Sequence, residues 1–168
     1  DFVPVAKIAE VSFMIMANPK VPAKNLQELI AHAKSRPGKL TIATDGARRF
    51  SGMVVAWLNT LAGIETLQVP YTAQRQGVQD AVAGTVDLII LAVPVARGLA
   101  ANGQLRPIAT TSLKRLPDHP DVPAIAETFA DFDFTGWMLL AALLSWLHLR
   151  RRYLQLQFAA SLASPLPL

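Results

Sequence analysis

Apolar residues along this chain fall into short blocks whose period alternates between that of a strand and that of a helix. Lys7 to Met16, rich in Val, Ile, Phe and Met, predicts one long strand that stops at Asn18-Pro19. Asn25 then supplies an N-cap oxygen and Glu28 sits three places on, the spacing at which each side chain satisfies an orphan amide at a helix start. Leu26, Leu29, Ile30 and Ala33 continue at helical spacing until Pro37-Gly38, and Leu40 to Thr44 predicts a buried strand. Beyond Asp45-Gly46, Met53, Val54, Trp57, Leu58 and Leu61 mark the apolar face of a helix that Gly63 closes.

The second half repeats the alternation. Leu67 to Pro70 predicts a short strand, Gln76 to Ala83 a helix ended by Gly84, and Val86 to Leu91 a strand covered on both faces. Pro94 suits the first turn of a helix that runs out at Asn102-Gly103, before a strand over Leu105 to Thr111. Pro117, Pro120 and Pro123 stiffen a crossing, Ala124 to Phe129 predicts a short helix, and Phe134 to Leu140 returns as a strand. The fold class is therefore α/β, with a parallel or mixed sheet and flanking helices. Alternating elements of this length favour parallel units joined by right-handed crossovers. Ligands collect at the carboxyl ends of such strands, where loops meet helix N-termini. The stretch LTIATDGARRFSGMVV, residues 40–55, occupies that position.

Composition narrows the function classes. At 168 residues, 52% hydrophobic and 17% charged, the chain can bury a core. It has no cysteine, so thiolate metal sites, disulfides and a cysteine nucleophile are excluded while the redox compartment stays open. The net charge is +4, but the residues before Leu143 hold 13 basic and all 12 acidic groups and are close to neutral. The excess sits in Arg150, Arg151 and Arg152, and no basic stripe interleaved with aromatics marks a nucleic-acid partner.

Enzyme chemistry finds little support. His32, His119 and His148 stand apart, without metal-ligand spacing or a nucleophile elbow, and Asp118 and Asp121 read as turn formers. No GxGxxG or Walker sequence is present. The expectation is a protein that is not an enzyme and needs neither metal nor cofactor. Arg48 and Arg49 are the candidate chemistry, with two readings side by side: planar cationic forks for a carboxylate, or solvated loop charges. Asp45 partly offsets them, and weakens anion binding unless it caps the following helix.

The runs DFVPVAKIAEVSFMIMANPKVPAKNLQELIAHAKSRPGKL, VPY, AGTVDLII and NGQLRPIATTSLKRLPDHPDVPAIAET resemble, in order and spacing, the Bug family of periplasmic solute-binding proteins. These are the extracytoplasmic receptors of tripartite tricarboxylate transporters. The resemblance implies a type II periplasmic binding protein fold, two α/β lobes closing over a small carboxylate. It implies a periplasmic location, transporter subunits in the membrane as partners, and a ligand loop over residues 44–52. Thr44, Asp45, Gly46, Ala47, Arg48, Arg49 and Phe50 of that loop, with Tyr71 and Thr72 after the third strand and Leu91 and Ala92 after the fourth, are the implied ligand-binding residues. Tyr71 either shapes a wall or simply packs. Arg48, Arg49 and Gly52 depart from the family's usual glycine, hydroxyl residue and histidine, and Leu91 replaces the aspartate of many relatives. A plain carboxylate therefore fits better than a ligand with an ammonium group.

By the same resemblance, residues 1–142 form a second-lobe-like domain with interlobe crossings near Phe13 to Ala17 and Phe134 to Ala142. The first lobe's opening strand would precede Asp1, and its closing helices would follow Ala142. The residues from Asp1 onward do not read as a secretory leader. Residues 143–168, LLSWLHLRRRYLQLQFAASLASPLPL after Ala142, depart from the family and read as a divergent tail left by a reading-frame change or truncation. The apolar run Trp137 to Leu149 is too short to span a bilayer, whereas an interfacial helix over Leu143 to Phe158 is an open alternative. The rival to a receptor is a remnant or interaction module that keeps the core and binds no solute.

Overall fold

A computed structural model describes residues 2–130 and 132–143. The tail with His148 and the three arginines, and the expectations attached to it, lie outside the described residues. Two compact units divide the chain, one of residues 11–136 and one that includes residues 2–10 and 137–143. In the latter, β1 (Phe2–Val11) and β7 (Gly136–Leu143) pair as a two-stranded sheet. The long strand expected over Lys7 to Met16 is thus two strands. They part at Ser12, whose carbonyl accepts the Val93 amide at 3.0 Å.

The larger unit is a five-stranded sheet. In chain order its elements are β2 (Phe13–Ala17), α1 (Leu26–Ser35), β3 (Thr41–Thr44), α2 (Phe50–Ala62), β4 (Leu67–Pro70), α3 (Gln74–Ala83), β5 (Leu88–Ala92), α4 (Val93–Ala101) and β6 (Arg106–Thr110). Spatially the strands run β4-β3-β5-β2-β6. β3 is parallel to β4 and β5, but β2 runs antiparallel to both β5 and β6. The sheet is therefore mixed rather than built only of parallel units. Direction was hidden because a strand covered on both faces reads as an apolar run whichever way it points.

Side chains alternate across the sheet with period two. Ile15 and Ala17 face a core filled by Leu26, Leu29, Val54 and Leu58, from α1 and α2. Met14 and Met16 face the opposite core, with Ala81 of α3 and Ala96 of α4. On α2 the buried positions are Ser51, Gly52, Val54, Val55, Leu58 and Ala62, whereas Met53, Trp57 and Leu61 are 46%, 44% and 38% exposed. The expected stripe is rotated: the helix is apolar nearly all round, and its smaller residues permit the closer approach to the sheet.

Local chemistry fixes the ends of these elements. Asn25 Oδ1 accepts the Glu28 amide at 2.9 Å, while Glu28 reaches back to the Lys24 amide at 2.8 Å. Asn18, beyond its expected role of stopping β2, donates to the Ala81 and Val82 carbonyls at 2.7 and 3.1 Å and so ties the end of α3 to the sheet. Among the described residues only β3 flanks β4 in the sheet, and Pro70 closes that edge strand.

After β6, the proline-rich crossing is held by an ion pair. Arg115 grips both Glu127 oxygens, at 2.7 and 2.8 Å, and donates to the Pro120 carbonyl at 2.8 Å. Glu127 ends a short 3₁₀ turn (Ile125–Glu127) and accepts the Ala124 amide at 2.9 Å. The Arg115 hydrogen bonds first, and that amide second, hold its carboxyl at about 2. A carboxyl whose folded pKa is depressed favours the folded state above its ordinary value near 4.5, and that contribution disappears as pH falls towards 2. Denaturant unfolding at pH 7 and at pH 3 is expected to show Glu127→Gln losing less stability on acidification than the parent chain. Equal losses would contradict the assignment.

Candidate functional site

The parallel strands β3, β4 and β5 end at one rim of the sheet, and antiparallel β2 begins there. Thr44 lies opposite Pro70, and Phe13 lies opposite Ala92. The turn after β3, the residues after β4 and the last residue of β5 therefore share that rim. The Tyr71 amide donates to the Thr44 carbonyl at 2.8 Å, which joins the first two.

The turn itself is built around two glycines and an acid. Gly46 has φ of 120°, a conformation that disfavours any side chain. Asp45 donates its amide to Ser51 Oγ at 2.8 Å, and its carboxylate accepts the Ser51 amide at 3.2 Å and the Ser51 hydroxyl. That carboxylate thus satisfies one orphan donor in the first turn of α2, in the electrostatic position that favours an anion. Arg49 is the N-cap residue, with no side-chain capping bond, and its amide donates to the Gly46 carbonyl at 3.0 Å. Among the described residues, the amides of Ala47, Arg48, Phe50 and Gly52 find no protein acceptor.

Gly52 is the residue on which the turn rests. A Cβ there would stand 2.2 Å from the Gly46 carbonyl oxygen and 2.7 Å from Ala47 Cα. The turn folds onto the first turn of α2, and no histidine fits beneath it. Arg48 and Arg49 are exposed and join no ion pair among the described residues. Their guanidinium groups are available to a ligand or to water.

The remaining expected residues divide by burial. Tyr71 is half-buried, its ring lies against Gly77, and its hydroxyl donates to Asp80 at 2.7 Å. That hydrogen bond, more than burial, raises the Tyr71 pKa. Thr72 is exposed, Leu91 lies wholly within the core between β5 and α3 and α4, and Ala92 is half-buried. At the rim, then, the strand after α3 presents Ala92 and not the Leu91 side chain.

Three residues that sequence reasoning missed complete the rim. Ser51 is the partner of Asp45, and Phe13 and Phe134 pack with Phe50. The Phe13 and Phe50 ring centroids are 4.3 Å apart, and Phe134 meets Phe50 edge-on at 6.2 Å. A serine six places after the aspartate was the available signal for the first; the aromatic trio is scattered along the chain and leaves none.

Two surface depressions, of about 550 and 410 Å³, lie elsewhere: one beside the α2–β4 loop, one between α1 and the end of α2. Among the described residues there is no group of three or more His, Asp or Glu placed to hold a metal, and no helix long and apolar enough to cross a membrane. His119 accepts from Arg97 at 3.2 Å, beside an Arg97–Asp118 ion pair.

The turn's packing is directly testable. Gly52→Ala is expected to force the turn off α2, at a cost of about 1–3 kcal/mol in denaturant unfolding. Asp45→Ala, which removes the cap, should cost about 1 kcal/mol. An unchanged midpoint for Gly52→Ala would show that Gly46 does not rest on the helix.

Residues 1–144 match the family model described as Tripartite tricarboxylate transporter family receptor. A Pseudomonas sp. (strain P51) relative, the UPF0065 protein in the tcbD-tcbE intergenic region, is 35% identical over 139 residues, which is 82% of this chain and 41% of the relative. An R. palustris structure, Rpa4515 with adipate, superposes with a TM-score of 0.77 at 29% identity, covering 84% of this chain and 48% of that one. MatC from Rhodopseudomonas palustris with bound malate gives a TM-score of 0.74 at 27% identity with the same coverage. The chain spans less than half the length of these relatives. By the extent of the match, it belongs to the tripartite tricarboxylate transporter receptor family.

Proposed function

We propose that this chain is the ligand-binding part of an extracytoplasmic solute receptor, and that residues 44–52 bind the carboxylate of a small organic acid for delivery to transporter subunits in the membrane. The observation that carries the reading is the presence, within a few residues at the start of α2, of acceptor-free amides at Ala47, Arg48 and Phe50 and of two exposed arginines. Unpaired amides and the positive end of a helix dipole favour an anion, and a guanidinium adds a charge-assisted bond. Carboxylates bound to two related structures, adipate and malate, support it. Like its family, the receptor would work in the periplasm, as a binding protein rather than an enzyme. Residues 1–142 would be its lobe-like domain, with residues 143–168 a divergent tail.

Asp45 sets the terms of binding. Its carboxylate already holds the Ser51 amide, so an incoming anion uses the neighbouring amides and the arginines instead. Because these 168 residues span less than half the length of the relatives, closure over the ligand is not expected from this chain alone. Exposed charges are screened by salt, and weak binding follows: a Kd on the order of millimolar, about −4 kcal/mol. In an NMR titration with succinate and citrate, amide signals from Asp45 to Gly52 and around Tyr71 are expected to shift, and replacing both Arg48 and Arg49 by alanine should weaken the response several-fold. Silence in the turn at millimolar ligand would favour the remnant that binds no solute.

A further inference from the structure

Among the described residues α2 is the one α-helix that carries no charged side chain. It nevertheless lies on the surface, with Met53, Ala56, Trp57, Thr60 and Leu61 all exposed along its outward face. A solvated helix face ordinarily mixes charged with apolar positions, so this one is suited to losing its water. No polar group on it would be stranded. The Thr60 hydroxyl donates to the Ala56 carbonyl at 3.0 Å, and the neighbouring Asn59 amide donates to the Thr66 hydroxyl at 3.0 Å.

The charges lie at the two ends of this face instead. Arg49 stands one helical turn before Met53, and Glu65 follows the helix and lines the hollow shared by Ala56, Thr60 and Leu67. Both are exposed, and neither joins an ion pair among the described residues. Trp57 lies midway between them in the sequence.

That spacing is self-complementary under a two-fold axis. When two copies of α2 lie antiparallel and cross at Trp57, Met53 meets the partner's Leu61, Trp57 meets the partner's Trp57, and Arg49 meets the partner's Glu65. The positive end of each helix dipole then lies beside the negative end of the other. An aromatic and methionine centre with charges only at its edge matches the anatomy of a protein interface. Other occupants fit less well. An anionic lipid surface would meet Glu65 with like charge, and residues 143–168, with three arginines and no acid, offer Arg49 no counter-charge.

We infer that the chain pairs with a second copy of itself through the outward face of α2, as an antiparallel dimer centred on Trp57. The face is small beside the area of about 800 Å² per partner found in stable interfaces, so the dimer is weak, with a Kd on the order of 0.1 mM. Arg48 is left to the turn at residues 44–52, and the pairing does not depend on what that turn binds.

The test is sedimentation velocity of the full 168-residue chain from about 10 µM to about 1 mM, a range that brackets the expected Kd. The parent chain is expected to shift from monomer to dimer across it. Trp57→Glu should weaken the dimer at least about tenfold. Arg49→Glu and Glu65→Arg, both at exposed positions, should each weaken it about tenfold through like-charge contacts, whereas an equimolar mixture of these two variants should restore pairing, because each then supplies the other's missing sign. A parent chain that stays monomeric throughout overturns the inference. So does a dimer that all three variants leave intact, or one that mixing fails to restore, since the contact then lies elsewhere on the chain.

Discussion

Strand β2 is hydrogen-bonded along both edges and buried on both faces, Met14, Ile15, Met16 and Ala17 all being 1% exposed or less. With no water to satisfy its backbone, each amide and carbonyl must find a neighbour, so β5 and β6 have to flank it for the sheet to exist. Its antiparallel course has a second effect. It delivers Phe13, rather than the strand's far end, to the rim where β3, β4 and β5 finish. A parallel β2 would have carried Ala17 there instead, and Phe50 would lose the Phe13 ring it rests against.

The turn after β3 is shaped by contact as much as by hydrogen bonding. Gly46 supplies the unusual backbone angle, Gly52 the absent Cβ, and the Asp45–Ser51 pair the latch between them. None of these works without the others: a side chain at residue 52 lifts the turn, and a lifted turn removes Asp45 from the helix. A side chain at residue 52 and this turn conformation are therefore mutually exclusive.

Much of this was legible in the sequence. The cap at Asn25, the glycine stops at Gly63 and Gly84, and the strand at Leu67 to Pro70 follow from residue chemistry that acts within a few positions. The location of a turn at the carboxyl end of β3 followed as well, as did the family, through the order of several runs rather than any one of them. What stayed hidden depends on tertiary contact. The exposed Met53, Trp57 and Leu61 were indistinguishable from a core stripe until the distance between α2 and the sheet was known. The burial of Phe132 at 0% exposure and the meeting of Phe13, Phe50 and Phe134 join segments far apart in the chain, and no local pattern encodes them.

Pro70 at the end of β4 bears on how the protein behaves in a crowd. The amides of Leu67 and Tyr71 point inward to the Leu40 and Thr44 carbonyls, so by the two-residue alternation of a strand the open side of β4 belongs to Thr66, Gln68 and Pro70. A proline has no amide to offer. An intruding strand can therefore take donors from Thr66 and Gln68 and then meets a missing rung, too short a ladder to seed a growing fibre.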